Sequence, residues 1–306
     1  MSTSVVPQGM CVRARVPATS ANLGPAFDTA GLSLALYDDL EVSVGTDGCS
    51  VEVTGEGAGS VPRDESHLVL RALRAGLDHL GTDQPGLLLR AHNRIPHGRG
   101  LGSSAAATVA GLVVARELAR SAGSPRVLDD LSLLTLATSF EGHADNVAAA
   151  LLGGLVLVWA DPASNVQAVR LSPDPRVRPV LLVPLDTLST ARARELLPES
   201  VPHRVATHSA GRAALLVTAL TQRPDLLWAA TEDRLHQPYR ASAFPESMAL
   251  VEDLRAQGVA AMISGAGPGV LVLTTAENVS SVLVPPDGWQ RLVLDVDQDG
   301  ARVRVG

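Results

Sequence analysis

The sequence predicts a mixed α and β protein built in two units. Strand-like and helix-like segments alternate along the whole chain, and no repeat period or low-complexity tail interrupts them. One polar, Pro-bearing stretch, Asp161 to Arg178, divides the chain near its middle and suggests units of 1–165 and 166–306. The pattern alone leaves the topology open between α+β and α/β.

In the first unit, Val12–Val16 and Leu40–Val44 read as short strands joined by a polar, Gly-containing loop, and Ser50–Thr54 as another strand. Glu65–Leu80 carries Leu68, Leu70, Leu73, Leu77 and Leu80 at helical spacing. Leu87–Ala91 is a strand. After the loop Asn93–Gly102, the Ala-rich run Ser103–Ala122 predicts a long helix. Helices follow over Leu128–Glu141 and from Asp145, then a strand over Leu155–Trp159. The second unit opens with the strand Pro179–Pro184. Helices are expected at Arg192–Leu197, Ala206–Thr221, Pro224–Thr231 and Pro245–Gln257, and strands at Ala260–Ser264, Val270–Thr274 and Leu292–Asp295.

Composition narrows the function classes. Of 306 residues 46% are hydrophobic but only eight are aromatic, so the core must be built from Ala, Val and Leu. A net charge of −7 disfavours a general nucleic-acid or anionic-membrane role. Cys11 and Cys49 fit neither a disulfide framework nor a zinc site. The N-terminus lacks a basic segment followed by an apolar run, and no uncharged apolar stretch reaches spanning length, so a cytoplasmic protein is expected. The chain contains no lysine, which rules out a Walker-A loop and a Schiff-base enzyme. Any phosphate site must use backbone N–H groups, hydroxyls, Arg or a metal ion.

Three clusters carry chemistry. In Pro96-His97-Gly98-Arg99-Gly100-Leu101-Gly102-Ser103-Ser104, three glycines let the backbone approach a ligand, and two serines open a helix whose free N–H groups suit phosphate. Such a turn also simply starts helices. Ser264-Gly265-Ala266-Gly267-Pro268-Gly269 lies between two strand patterns, and Gly265 and Gly267 offer further backbone donors; alone it is equally an ordinary tight turn. In Ala21-Asn22-Leu23-Gly24-Pro25-Ala26-Phe27-Asp28, an Asn and an Asp flank a Gly-Pro turn, and Asn can both donate and accept toward a zwitterion; a solvent loop is the plain alternative.

In this order the clusters resemble the three signature motifs of the GHMP kinases, and among them the homoserine-phosphorylating branch. Glu141-Gly-His-Ala-Asp-Asn146, the turn Leu152–Gly154, the stretch Ser189–Arg194 and His236-Gln-Pro-Tyr-Arg240 extend the match to nearly the whole chain. The resemblance implies an α+β fold, with an N-terminal ATP-binding domain like ribosomal protein S5 domain 2 and a C-terminal α/β-sandwich domain. It implies ATP held by residues 96–104 with Gly265 and Gly267. Ser104 and Glu141 are the implied Mg²⁺ ligands, as hard oxygen donors. L-Homoserine is the implied acceptor, held by Asn22, Asp28, His143, Asn146, Thr190, Arg194, Arg240 and Gly267, with the arginines on its carboxylate. Asn22, Asp28, Glu141 and Arg194 are the candidate catalytic residues, a homodimer is the implied assembly, and the product would enter threonine biosynthesis.

The chain departs from the pattern at Ala26, Ala144 and Gly269, and at His67, where many members carry an Asn near the adenine. With no lysine beside an Asp base, positioning and electrostatics are expected to carry the transfer. Another hydroxyl acceptor, or a relative that binds both ligands without turnover, stays open from sequence.

Overall fold

The computed structural model describes residues 4–188, 190–278 and 285–306. The chain runs through β1 (Cys11–Leu23), β2 (Ala26–Gly45), β3 (Cys49–Gly55), α1 (Leu68–Leu80), β4 (Gly86–Asn93), α2 (Ser103–Ser121), α3 (Asp130–Glu141) and α4 (Asp145–Leu152). It continues with β5 (Leu155–Ala160), β6 (Val166–Leu171), β7 (Val177–Val183), α5 (Thr190–Glu195), α6 (His203–Thr221), α7 (Leu227–Ala230) and α8 (Gln237–Arg240). Last come α9 (Pro245–Ala256), β8 (Ala260–Ile263), β9 (Val270–Thr275), β10 (Gln290–Val293) and β11 (Arg302–Val305).

Alternation in β1 buries Val12, Ala14 and Val16 and exposes Arg13 and Arg15, as a half-buried strand requires. From Val16 onward every residue of β1 is buried, so the alternation disappears. That is why the expected loop between two short strands is instead the far part of a long hairpin, of 13 and 20 residues, turning at Gly24-Pro25. The far end of β2 pairs with β4 through Asp39–Gly45, while its near end pairs with β5 through Ala30–Leu32. The first sheet has the order β11-β1-β2-β4-β3, with β3 parallel to β4 and the β5–β6 hairpin joined to β2.

Helices α1 to α4 cover one face of this sheet. In α2, residues such as Ala105, Ala106, Val109, Leu112, Val113 and Leu118 are buried on nearly all sides, as expected of a helix that is apolar all round. The other face carries cross-strand ion pairs, Arg13–Glu41, Arg15–Asp39 and Arg90–Glu52, which face water and contribute little stability each.

The second sheet, β10-β7-β9-β8, is antiparallel. In β7, Val180 and Leu182 pack with Phe244, Val251 and Leu254, while Leu181 and Val183 join the main core with Leu216 and Leu220. Buried on both faces, β7, β8 and β9 read as largely apolar runs, while the edge strand β10 is partly exposed. The expected division at 165/166 lies inside the β5–β6 hairpin. By their hydrogen bonds, β6 and β11 belong to the first sheet. The expected helix at Pro224–Thr231 is a short 3-10 turn followed by the four-residue α7. No helix among the described residues is long and apolar enough to cross a membrane.

Candidate active site

Where β4 ends, the buried Asp38 accepts the backbone N–H of Arg94 and Ile95 at 2.7 and 3.0 Å and turns the chain into the glycine loop. Gly100 and Gly102 both have positive φ, 75° and 66°. A Cβ on Gly100 would collide with the carbonyl of Ser264, and one on Gly102 with Thr19 Oγ1, so only glycine fits at either place. Gly102 precedes α2 without any side-chain cap, which leaves the first-turn N–H groups of Ser103 and Ser104 available to an anion.

Four consecutive residues of β1 tie the separate motifs together. Thr19 donates its N–H to Leu101 O at 3.0 Å and its hydroxyl to Asn146 Oδ1 at 2.7 Å. Ser20 Oγ meets Ser264 Oγ at 2.8 Å, and Ser264 Oγ also donates to Gly100 O at 2.6 Å. Ala21 O accepts from Gly265 N at 3.0 Å. Asn22 donates from Nδ2 to Gly265 O and accepts from the backbone N–H of Asp28 at 2.8 Å. Both Asn22 and Asp28 hold positive φ, 55° and 56°, a strained state that these two residue types tolerate best.

One wall of the resulting cleft is the α2 N-terminus. Ser104 and Thr108 donate to Glu141 Oε1 at 2.7 and 2.9 Å, so the two expected metal ligands already touch. Two hydroxyls and a carboxylate are hard oxygen donors without sulfur or imidazole, and they fit Mg²⁺.

The opposite wall carries charge. Arg194 on α5 holds Asp28 in a two-pronged pair at 2.9 and 2.6 Å. Arg240 on α8 is 1% exposed, and no carboxylate pairs with it among the described residues. Its Nε donates to Ala193 O at 3.1 Å. Burial, and then the nearby Arg194 charge, lower its guanidinium from the ordinary value. The Phe27 ring lies under both guanidiniums, 5.5 Å from Arg194 and 4.8 Å from Arg240, with His236 stacked on it at 5.0 Å. His143 meets Asp145 Oδ1 through Nδ1 at 3.0 Å, a bond that raises the ring above 6.5 against the effect of burial.

Asn22, Glu141, His143, Asn146, Arg194 and Arg240 thus surround one cleft with Gly98, the run from Gly100 to Ser104, Gly265 and Gly267, and Asp28 is tied to it through its pair with Arg194. Some expected roles change. The N–H groups of Gly265 and Gly267 are engaged by Ala21 O and Ser264 O, because this loop is a brace against β1 rather than a set of free donors. Arg99 points its guanidinium at Pro184 O and Leu185 O, clamping the glycine loop to the β7–α5 connection. Pro96 is buried beneath the loop. The Asn22 amide serves its neighbouring loops. Thr190 opens α5, but its side chain lies outside the described residues, as does Ser189.

Sequence reasoning assigned no site role to Thr19, Phe27, Asp145 and Ser264; the partners of Thr19, Phe27 and Ser264 lie far along the chain, while Asp145 holds its neighbours His143 and Asn146. The sequence signal that existed was their position inside or beside the motifs. Beside the glycine loop, an apolar recess lined by Leu40, Val61, Pro62, His67, His97 and Ala106 shares Ser103 and Ser104 with the cleft. His67 is buried there with Nδ1 unpartnered, and burial followed by the His97 charge lowers its ring from 6.5.

A two-unit fold with a glycine loop feeding the N-terminus of a buried helix defines the GHMP kinases. Their N-terminal domain model matches residues 67–154 and their C-terminal model residues 214–284. Homoserine kinase of Streptomyces avermitilis is 55% identical over 293 residues, covering 95% of each chain. That of Clavibacter michiganensis is 52% identical over 99% of this chain and 96% of its own. The crystal structure of homoserine kinase from Cytophaga hutchinsonii superposes with a TM-score of 0.81 at 26% identity, covering 96% of this chain and 97% of that one. The chain belongs to the homoserine kinase family of the GHMP kinases.

Proposed function

We propose that the protein transfers the terminal phosphoryl group of ATP to the side-chain hydroxyl of L-homoserine, making O-phospho-L-homoserine for threonine biosynthesis. One observation carries this reading: a single cleft has an uncapped helix N-terminus with Ser104 and Glu141 on one wall and, on the other, Arg240 and an Arg194 that is paired with Asp28. The first wall suits a polyphosphate. The second suits a small zwitterion, with its carboxylate on the arginines and its ammonium on Asp28.

In this reading the N–H groups of Ser103 and Ser104 hold the β- and γ-phosphates. The recess at His67 and His97 takes the nucleobase, His67 Nδ1 being the polar group left to meet it. Ser104 and Glu141 would hold Mg²⁺, which when bound neutralises charge on the phosphate oxygens. Arg240 and Arg194 anchor one end of the acceptor, so that its hydroxyl end points across the cleft. Asp28 is engaged by Arg194, and no lysine exists to tune it, so proton removal by a dedicated base is not part of the reading. The first unit, to which β6 and β11 add strands, holds the nucleotide, and the second contributes the arginines. A cytoplasmic homodimer is the proposed form.

The test is ADP release with ATP and Mg²⁺ as each hydroxy compound of a panel is added singly. L-Homoserine should support turnover and carry the phosphate in the isolated product. Turnover of a different alcohol with none of L-homoserine would overturn the acceptor; no ADP release with any compound would overturn the kinase reading.

A further inference from the structure

Asn146 faces the cleft, but an amide can present either its oxygen or its NH₂ group. A residue outside the cleft decides which. Thr19 is 0% exposed, and its hydroxyl donates to Asn146 Oδ1 at 2.7 Å across 127 residues of sequence. The same residue holds Leu101 O through its backbone N–H at 3.0 Å, and its Oγ1 occupies the space that a side chain on Gly102 would need. Thr19 therefore touches the phosphate loop and the acceptor-side amide at once. A second anchor reinforces the first: the backbone N–H of Asn146 donates to the buried Asp145 Oδ1 at 2.7 Å.

We propose that Thr19 is a positioning residue for phosphoryl transfer, orienting Asn146 so that its Nδ2 group donates across the cleft. With Oδ1 taken by the Thr19 hydroxyl and one Nδ2 hydrogen directed at Asp145 Oδ1 at 3.4 Å, the second Nδ2 hydrogen is the donor left to face the reacting oxygens. Its donated hydrogen bond falls where the acceptor hydroxyl and the γ-phosphate meet, and a donor there stabilises charge that develops on either oxygen. An amide turned the other way would set a carbonyl oxygen against a phosphate oxygen, which repels. This inference rests on reading the cleft as the acceptor site.

The test uses the full-length protein with saturating MgATP. Thr19→Val keeps the shape and removes the proton; Thr19→Ser keeps the proton. Thr19→Val should lower kcat about tenfold or more, with the KM for ATP little changed, because small misplacements at a reacting centre are costly. Thr19→Ser should restore most of kcat. In an Asn146→Ala background, Thr19→Val should change kcat little, since the two residues act as one unit. Thr19→Ala carries the same comparison if Thr19→Val does not fold. Unchanged kcat in the folded Val or Ala variant, a Thr19→Ser protein as slow as Thr19→Val, or losses that simply multiply in the Asn146→Ala background would each overturn the proposal. Absence of wild-type turnover with L-homoserine would instead sink the acceptor reading.

Discussion

Asp28 and Arg194, 166 residues apart, face each other through two parallel hydrogen bonds of 2.9 and 2.6 Å, and Arg194 lines the cleft. The pair carries the same two opposite charges as an amino-acid zwitterion. In the proposed acceptor reading an amino acid exchanges with it, ammonium to the carboxylate and carboxylate to the guanidinium, with no net change in charge.

Asp28→Asn separates charge from conformation, because Asn tolerates the positive φ of this position as Asp does. The KM for L-homoserine should rise about tenfold or more, as a charge-assisted contact is lost. Each partner side chain is about one-third exposed, so folding stability should change by less than about 1 kcal/mol. Asp28→Ala should lose about 1 kcal/mol beyond that, from the strained backbone. Steady-state kinetics and urea unfolding of both variants separate the two effects; equal stability of the Asp28→Asn and Asp28→Ala proteins would show that the backbone is not strained.

Arg240 is a buried cation with no carboxylate partner among the described residues, so it costs the free protein stability, and the proposed acceptor carboxylate would offset that cost. Arg240→Met should leave thermal stability unchanged or raise it, since an apolar chain replaces a buried charge. Its KM for L-homoserine should rise by about two orders of magnitude. A large drop in melting temperature with normal KM would mean that Arg240 is a scaffold residue.

The Ser104–Glu141 contact predicts a metal phenotype. Glu141→Gln should raise the Mg²⁺ concentration for half-maximal rate and lower kcat by about 100-fold, with Ser104→Ala milder. Titrating Mg²⁺ at fixed ATP measures both. An unaltered Mg²⁺ dependence in Glu141→Gln would place the ion elsewhere.

His236 supplies a pH dependence of folding. Its Nε2 donates to Gly24 O at 2.8 Å, and Arg240 approaches Nδ1 at 3.5 Å, so the neutral ring fits the site and a charged ring would face a guanidinium. Burial lowers its pKa from 6.5, outweighing the nearby Asp233 carboxylate, which favours the charged ring. The unfolded chain therefore binds a proton that the folded chain refuses. This contribution to stability is fully present above 6.5 and falls away as the pH drops below it. The buried His67 acts in the same direction. His143, raised by its bond to Asp145, acts in the opposite direction, so His236 is read as a difference: across pH 5 to 8 the change in urea midpoint should be shifted toward a rise with pH in wild type relative to His236→Gln.

Much of the site was legible because its chemistry sits in short contiguous motifs. The glycine loop could be named from residue type and order, whereas Ser104, Glu141, Asp28, Arg194 and Arg240 were named through the resemblance to the GHMP kinases. What the motifs do not contain is which atom faces which. Arg99 belongs to the glycine loop by sequence, yet its guanidinium holds Pro184 and Leu185. Gly265 and Gly267 supply donors by composition, yet those donors close on the protein itself.

The same division holds for the fold. Helix α1 and strand β4 follow from local periodicity, since one face of each meets the core, and α2 follows from its Ala-rich apolar run. The length of the β1–β2 hairpin does not, because Val16 to Leu23 is buried on both sides and shows no alternation. Strands β6 and β11 likewise owe their place to partners elsewhere in the chain. By itself the sequence determined a two-unit, lysine-free kinase that must grip phosphate with backbone groups, hydroxyls and arginine. Only the tertiary structure decided that Asp28 meets Arg194, that Arg240 stands without a carboxylate partner among the described residues, and that Thr19 orients Asn146. Each of these depends on hydrogen-bond directions between residues brought together from distant parts of the chain, and no local pattern encodes them.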